Sequence, residues 1–201
     1  MDFKRQGILG GTFDPIHLGH IHIAYEAICK LNLEKIIFMP SGNPPHKTDK
    51  KITSGKERYA IIKEAIKNQP YFEVSDYEIN KNGMSYTYET LEYLNGKYKN
   101  VKWYFITGAD CLAYLDKWKN VQRILDNCTF VVFKRSGFSN KDIEKYKSYI
   151  EQTYNKEIIY LDIPLIEISS TDIRDRIKNN KEYNYLLPEG IGKYIIENKF
   201  Y

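Results

Sequence analysis

Cysteine is scarce in this chain. Only Cys29, Cys111 and Cys128 occur among 201 residues, widely spaced and without a Cys-x-x-Cys pair. That excludes a disulfide framework and a cysteine zinc site, and leaves three expected core thiols. Long apolar runs are missing too: no stretch approaches the roughly 20 residues of a membrane span. Met1-Asp2-Phe3-Lys4-Arg5 leads straight into a predicted strand with no signal-peptide hydrophobic region. A cytoplasmic location without a membrane partner is the expectation. Neither a nucleophile elbow nor a clustered carboxylate set occurs, so a covalent serine mechanism and a dedicated protein metal cage both lack support. Internal repeats, low-complexity tracts and linkers are absent.

Charge of one sign is only slightly in excess, 30 Lys+Arg against 26 Asp+Glu for a net +4. The lysines are scattered, so no nucleic-acid partner is expected; a mildly basic surface suits small phosphorylated substrates. At this length, with 42% hydrophobic residues, the chain can bury one good core. A single domain over 1–201 is expected, with a helical C-terminal portion from about 169. The sequence leaves a homo-oligomer open.

What is present alternates. Apolar runs near 6–10, 35–40, 71–75, 102–107, 129–133 and 158–161 read as strands. Longer helical patterns separate them, the sequence form of βαβ units. The expected fold is α/β, a Rossmann-like, doubly wound and mostly parallel sheet with flanking helices. A first helix over 19–31 carries Ile23, Ala27 and Leu31 on one stripe, with Ile28 beside it. Ser54-x-x-Glu57 is a capping box opening a second helix to about Asn68. Another helix follows Ser85-Tyr86-Thr87, a further element surrounds Leu112–Leu115, and Asn140 to Thr153 forms a charged amphipathic helix. Ser169 or Ser170 caps a short helix through Ile177, and Pro188-Glu189 opens a last one ending near Asn198.

The chemistry concentrates in Gly10-Gly11-Thr12-Phe13-Asp14-Pro15-Ile16-His17-Leu18-Gly19-His20, directly after the apolar Ile8-Leu9. Adjacent glycines let a backbone approach a bulky anion, and a following helix aims N–H groups and a positive dipole end at it. His17 and His20 then lie beside the same ligand, able to donate when neutral and to add charge when protonated near working pH. Ser170 and Thr171 of Ile168-Ser169-Ser170-Thr171-Asp172-Ile173-Arg174 start a second helix, with the Arg174 guanidinium one turn on. The serines are also what an ordinary cap would use. Thr107-Gly108-Ala109-Asp110 falls at the carboxyl end of the fourth strand, where doubly wound sheets place ligand turns. Asp110 is the candidate for a nucleotide ribose, or simply a carboxylate at a helix start. His22 is expected on a helix surface.

These motifs resemble the nucleotidyltransferase superfamily, with its glycine-containing turn, His-x-Gly-His and Ile-Ser-Ser-Thr-x-x-Arg. The resemblance implies ATP as substrate, with phosphates held by the backbone of Gly10, Gly11, Thr12 and Phe13, by His17 and His20, and by Ile168, Ser169, Ser170, Thr171 and Arg174. Mg²⁺ would accompany ATP on phosphate oxygens and water. Three further matches narrow the resemblance to the nicotinate mononucleotide adenylyltransferases. They are Asn43-Pro44-Pro45-His46-Lys47, Ser85-Tyr86-Thr87 and Trp118. In that family Lys47 would bind the 5′-phosphate of nicotinate mononucleotide, and Thr12 would lie close to it. The helix start at Ser85, Tyr86 and Thr87 would receive the pyridine carboxylate, and Trp118 would stack on the ring. Arg135 would touch the mononucleotide or stay on the surface, and Trp118 has a core-packing alternative. Nicotinamide mononucleotide as preferred acceptor, and a non-catalytic nucleotide- or RNA-binding module, are the competing readings.

Overall fold

The computed structural model describes residues 3–42, 52–135, 137–164 and 166–201. Its strands are β1 (Lys4–Gly11), β2 (Lys35–Pro40), β3 (Phe72–Val74), β4 (Val101–Gly108), β5 (Thr129–Phe133) and β6 (Ile158–Leu161). All pair in parallel, in the order β3-β2-β1-β4-β5-β6. Strand order therefore reverses between β1 and β4, and the carboxyl ends of those two strands open a crevice.

The helices are α1 (Leu18–Leu31), α2 (Gly55–Ala65), α3 (Tyr77–Asn80), α4 (Thr87–Lys97), α5 (Ala109–Ala113), α6 (Val121–Asn127), α7 (Asn140–Tyr154), α8 (Ser170–Lys178) and α9 (Ile191–Glu197). They cover both faces of the sheet because successive strand residues point to opposite sides. On one face Leu9, Phe38, Tyr104 and Ile106 meet Ala24 and Ala27 of α1, Ile61 of α2, Ile173 of α8 and Ile195 of α9. On the other, Ile8, Met39, Phe105 and Phe130 meet Leu91 of α4, Leu112 of α5, Ile124 of α6 and Ile150 of α7. No helix among the described residues is long and apolar enough to cross a membrane.

Local chemistry sets the helix ends. At α2, Ser54 Oγ accepts from the Glu57 N–H at 3.3 Å and the Glu57 carboxylate accepts from the Ser54 N–H at 3.0 Å, the reciprocal box read from sequence. The sequence reading placed α9 at Pro188; it begins at Ile191, because Gly190 takes φ +78° and breaks the run from Pro188. Helices α3 and α6 were not anticipated, being too short for a periodic signal. The core-thiol expectation fails at Cys29, which is exposed, with Cys111 and Cys128 intermediate. Cys29 lies two positions from buried Ala27, which turns it away from the apolar stripe of α1.

Candidate active site

At the crevice, Gly10 and Gly11 are still strand, in register with Met39 and Pro40 of β2. The positive φ that the turn needs falls on Phe13, at 51°. Gly11 serves close approach instead: a Cβ there would lie 2.9 Å from the Phe13 ring. That ring is 2% exposed and sits edge-on to His20 at 4.8 Å and to Phe38 at 5.7 Å. Phe13 thus offers a ligand its backbone only, and fixes His20 from below.

His17 precedes α1 in an extended conformation, and His20 lies in its first turn. Their rings stack with centroids 3.7 Å apart. The His17 backbone N–H donates to His20 Nδ1 at 3.2 Å, which leaves the His20 proton on Nε2. Burial, and secondarily the charge of Arg135, pushes His17 down to about 4. Burial, His17 and Arg135, in that order, hold His20 well below the usual histidine range. The sequence expectation of rings that titrate near working pH is thereby corrected. Both are neutral donors, because the charged form would be desolvated beside another cation.

The second motif docks on the first. Ser169 Oγ caps α8 by accepting from the Thr171 N–H at 3.2 Å. Ser170 Oγ donates to the Pro15 carbonyl at 2.8 Å. Arg174 donates through Nη1 to the Asp14 carbonyl at 2.6 Å and through Nη2 to Thr171 Oγ1 at 3.2 Å, with the Asp14 carboxylate 3.7 Å away. The Ser170 hydroxyl therefore anchors the helix, and Arg174 lies across the turn that ends at His17.

On the β4 side, Arg135 Nη1 pairs with Asp110 Oδ2 at 2.9 Å. This joins two residues that the sequence assigned to different ligands. The stem of Arg135 crosses Gly108 so closely that a Cβ there would meet its Cδ at 2.4 Å. A larger residue there would displace that pair.

Two of the three further motifs, Ser85-Tyr86-Thr87 and the Trp118 segment, also converge. Tyr86 sits at the start of α4, and Lys119 Nζ lies 4.4 Å above its ring, which brings the segment after Trp118 beside that helix start. Trp118 is half-buried, edge-on to Phe105 at 6.3 Å and Phe130 at 6.4 Å. One part of the indole is held by the core and the rest is open. Ser85 is buried, its hydroxyl donating to the Glu78 carbonyl at 3.2 Å, while Tyr86 and Thr87 are partly open. Gly42 lies against Ser85, so the chain leaving β2 enters this region. Lys47 falls outside the described residues.

Sequence reasoning missed Arg58. It is 2% exposed, and it donates to the carbonyls of Thr53 at 2.9 Å, Thr12 at 2.7 Å and Ser41 at 2.7 Å. It locks the ends of β1 and β2 to α2. Glu78 was also missed; burial raises it, and it accepts from Thr90 Oγ1 at 2.7 Å and from Gly42. An arginine or a glutamate within a short charged pattern carries no sign of burial, so only the fold reveals either.

A family model described as Cytidylyltransferase-like matches residues 8–176. A Clostridium novyi (strain NT) relative named "Probable nicotinate-nucleotide adenylyltransferase" is 60% identical over 92% of this chain and 93% of its own length. A relative of the same name from Clostridium botulinum (strain Alaska E43 / Type E3) is 56% identical over 98% of both. Among solved structures, a Plasmodium falciparum nicotinic acid mononucleotide adenylyltransferase complexed with NaAD superposes with TM-score 0.77 at 22% identity, covering 98% of each chain. Matched by that model over most of its length and by such relatives almost end to end, the chain belongs to the cytidylyltransferase-like family, and within it to the nicotinate-nucleotide adenylyltransferases.

Proposed function

We propose that this chain transfers the adenylyl group of ATP to nicotinate mononucleotide, releasing pyrophosphate and forming nicotinate adenine dinucleotide for NAD biosynthesis. The observation that carries this reading is the docking of α8 on the β1–α1 turn through Ser170 and Arg174, contacts spanning 155 and 160 residues of sequence. They gather the histidine pair and Arg174 around one crevice at the switch point of the sheet, a site suited to a triphosphate.

A phosphate oxygen of the mononucleotide attacks the α-phosphorus of ATP in line. The new P–O bond forms as the bond to pyrophosphate breaks and takes its electron pair away with the leaving group. Nothing in this step requires a protein nucleophile; catalysis is positioning and offsetting of charge. The backbone of Gly10, Gly11, Thr12 and Phe13 cradles phosphate, and His17 and His20 donate to it as neutral rings. Arg174 and the α8 start at Ile168, Ser169, Ser170 and Thr171 hold the β- and γ-phosphates, with Gly108 and Asp110 beside the ribose. Thr12, Ser85, Tyr86, Thr87, Trp118 and Arg135 face the mononucleotide, and the family resemblance assigns its 5′-phosphate to Lys47, which lies outside the described residues.

The donor set here consists of N–H groups and cations, and the described residues contain no group of three or more His, Cys, Asp or Glu able to hold an ion. Mg²⁺ would arrive on the triphosphate of ATP, where it would supply charge neutralisation. The reaction belongs in the cytoplasm, with ATP and nicotinate mononucleotide as partners.

The test is pyrophosphate release from ATP on adding each mononucleotide separately, with the dinucleotide product identified. Release with nicotinate mononucleotide is expected. Release with neither, together with steeply salt-dependent RNA binding, would replace the enzyme by a binding module.

A further inference from the structure

Asp14 is an unexpected residue to bury at a site built for polyanions. Its side chain belongs to the same turn as His17, is 4% exposed, and the adenylyl-transfer chemistry makes no use of a carboxylate there. Its partners explain its place. Oδ1 accepts a 2.9 Å hydrogen bond from the hydroxyl of Tyr201, which lies beyond α9, while Oδ2 stands 3.7 Å from the Arg174 guanidinium. The Tyr201 hydroxyl also hydrogen-bonds Thr53, whose carbonyl takes the Nε–H of buried Arg58. Burial and the neighbouring Asp14 push the Tyr201 phenol up, which keeps its hydroxyl a donor to Asp14 at neutral pH. A single hydroxyl therefore links the phosphate turn to the start of α2 and, through Asp14, to Arg174 of α8, although Tyr201 and Asp14 lie 187 residues apart.

We propose that Tyr201 is a positioning residue for ATP, acting through Asp14 to set the orientation of Arg174; the proposal rests on the adenylyl-transfer reading above. A buried carboxylate seeks a donor for each oxygen. With Tyr201 satisfying Oδ1, Asp14 leaves the guanidinium fork of Arg174 facing the Asp14 carbonyl and Thr171 Oγ1. Without that hydroxyl, the unsatisfied carboxylate turns toward Arg174 and draws it into a bidentate pair, out of reach of phosphate.

Tyr201→Phe keeps the buried ring and deletes the hydroxyl alone. The experiment is a double-mutant cycle of Tyr201→Phe with Arg174→Lys. It is read in kcat/KM for ATP and, by calorimetry, in the Kd for ATP, with thermal unfolding of each variant as a control. The expected result is a loss of about tenfold in kcat/KM for Tyr201→Phe, shrinking to less than about threefold in the Arg174→Lys background, because the hydroxyl acts through that guanidinium. A merely structural tyrosine would lower the unfolding temperature and leave the two kinetic effects additive. Additivity, or wild-type kcat/KM and Kd in Tyr201→Phe, overturns the proposal. Should the unaltered protein release no pyrophosphate with either mononucleotide, the adenylyl-transfer reading fails separately, and the same cycle in ATP Kd decides the role of Tyr201.

Discussion

At neutral pH the stacked rings of His17 and His20 are uncharged, and His20 keeps its proton on Nε2 because Nδ1 is taken by a backbone N–H. A neutral donor aimed at developing charge needs no proton uptake before the reaction, so activity should not follow a histidine titration between pH 6.5 and 8. Replacing His20 with Ala removes a preorganised donor and should cost kcat about 10²-fold in a protein that still folds. Unchanged turnover would take His20 out of the mechanism. Stability carries the opposite face of the same burial. Above the ordinary histidine value, His17 is neutral in both the folded and unfolded chain. As pH falls from about 6.5 toward about 4, the unfolded chain takes up a proton that the folded one refuses. Folding is thereby weakened by up to on the order of 3 kcal/mol. Urea unfolding at pH 7 and pH 4.5 should show a smaller acid loss in His17→Asn than in the unaltered protein. An equal loss in both would mean His17 is not held neutral.

Elements explain how these side chains are brought together, and how far the sequence discloses it. The strands were legible because each is an apolar run bounded by turn residues, and the Ser54-x-x-Glu57 box announced α2. What the sequence hides is contact between distant segments. Gly10-Gly11 reads as a flexible turn, yet both are strand and Phe13 makes the turn. Arg58 carried no signal in the sequence, and only the convergence of three carbonyls on it shows that it braces β1 and β2. Asp110 and Arg135 each read as contacts to a ligand, and their pairing depends on β4 and β5 lying side by side. Tyr201 lies outside any element and carried no signal at all. The region beside α4 gives a prediction of its own. Trp118 is held by one edge against Phe105 and Phe130, leaving indole surface for a pyridine ring. Trp118→Ala should raise the acceptor KM by roughly tenfold, as expected for losing a stacking platform worth about 1–3 kcal/mol. It should do so equally for both mononucleotides, since stacking does not sense the substituent. A normal acceptor KM would return Trp118 to a packing role.

Over the whole molecule, the reversal of strand order between β1 and β4 creates one crevice, and two clusters of side chains border it. Around the β1 end gather the histidines, α8 and Arg174, with the Asp110–Arg135 pair at β4. Beside the start of α4 gather Ser85, Tyr86 and the Trp118 segment. On the proposed reading the first arrangement takes ATP and the second an aromatic acid, whose carboxylate would be matched by N–H donors at a helix start where an amide would set donor against donor. Each such mismatch costs about 1–3 kcal/mol, so two of them amount to discrimination of about 10²-fold or more. The most direct measurement is a competition: limiting ATP is offered to the purified protein with equal concentrations of nicotinate and nicotinamide mononucleotide, and the dinucleotides are quantified by mass. The account predicts nicotinate adenine dinucleotide in excess by about 10²-fold or more; equal amounts of the two dinucleotides, or an excess of NAD, would contradict it.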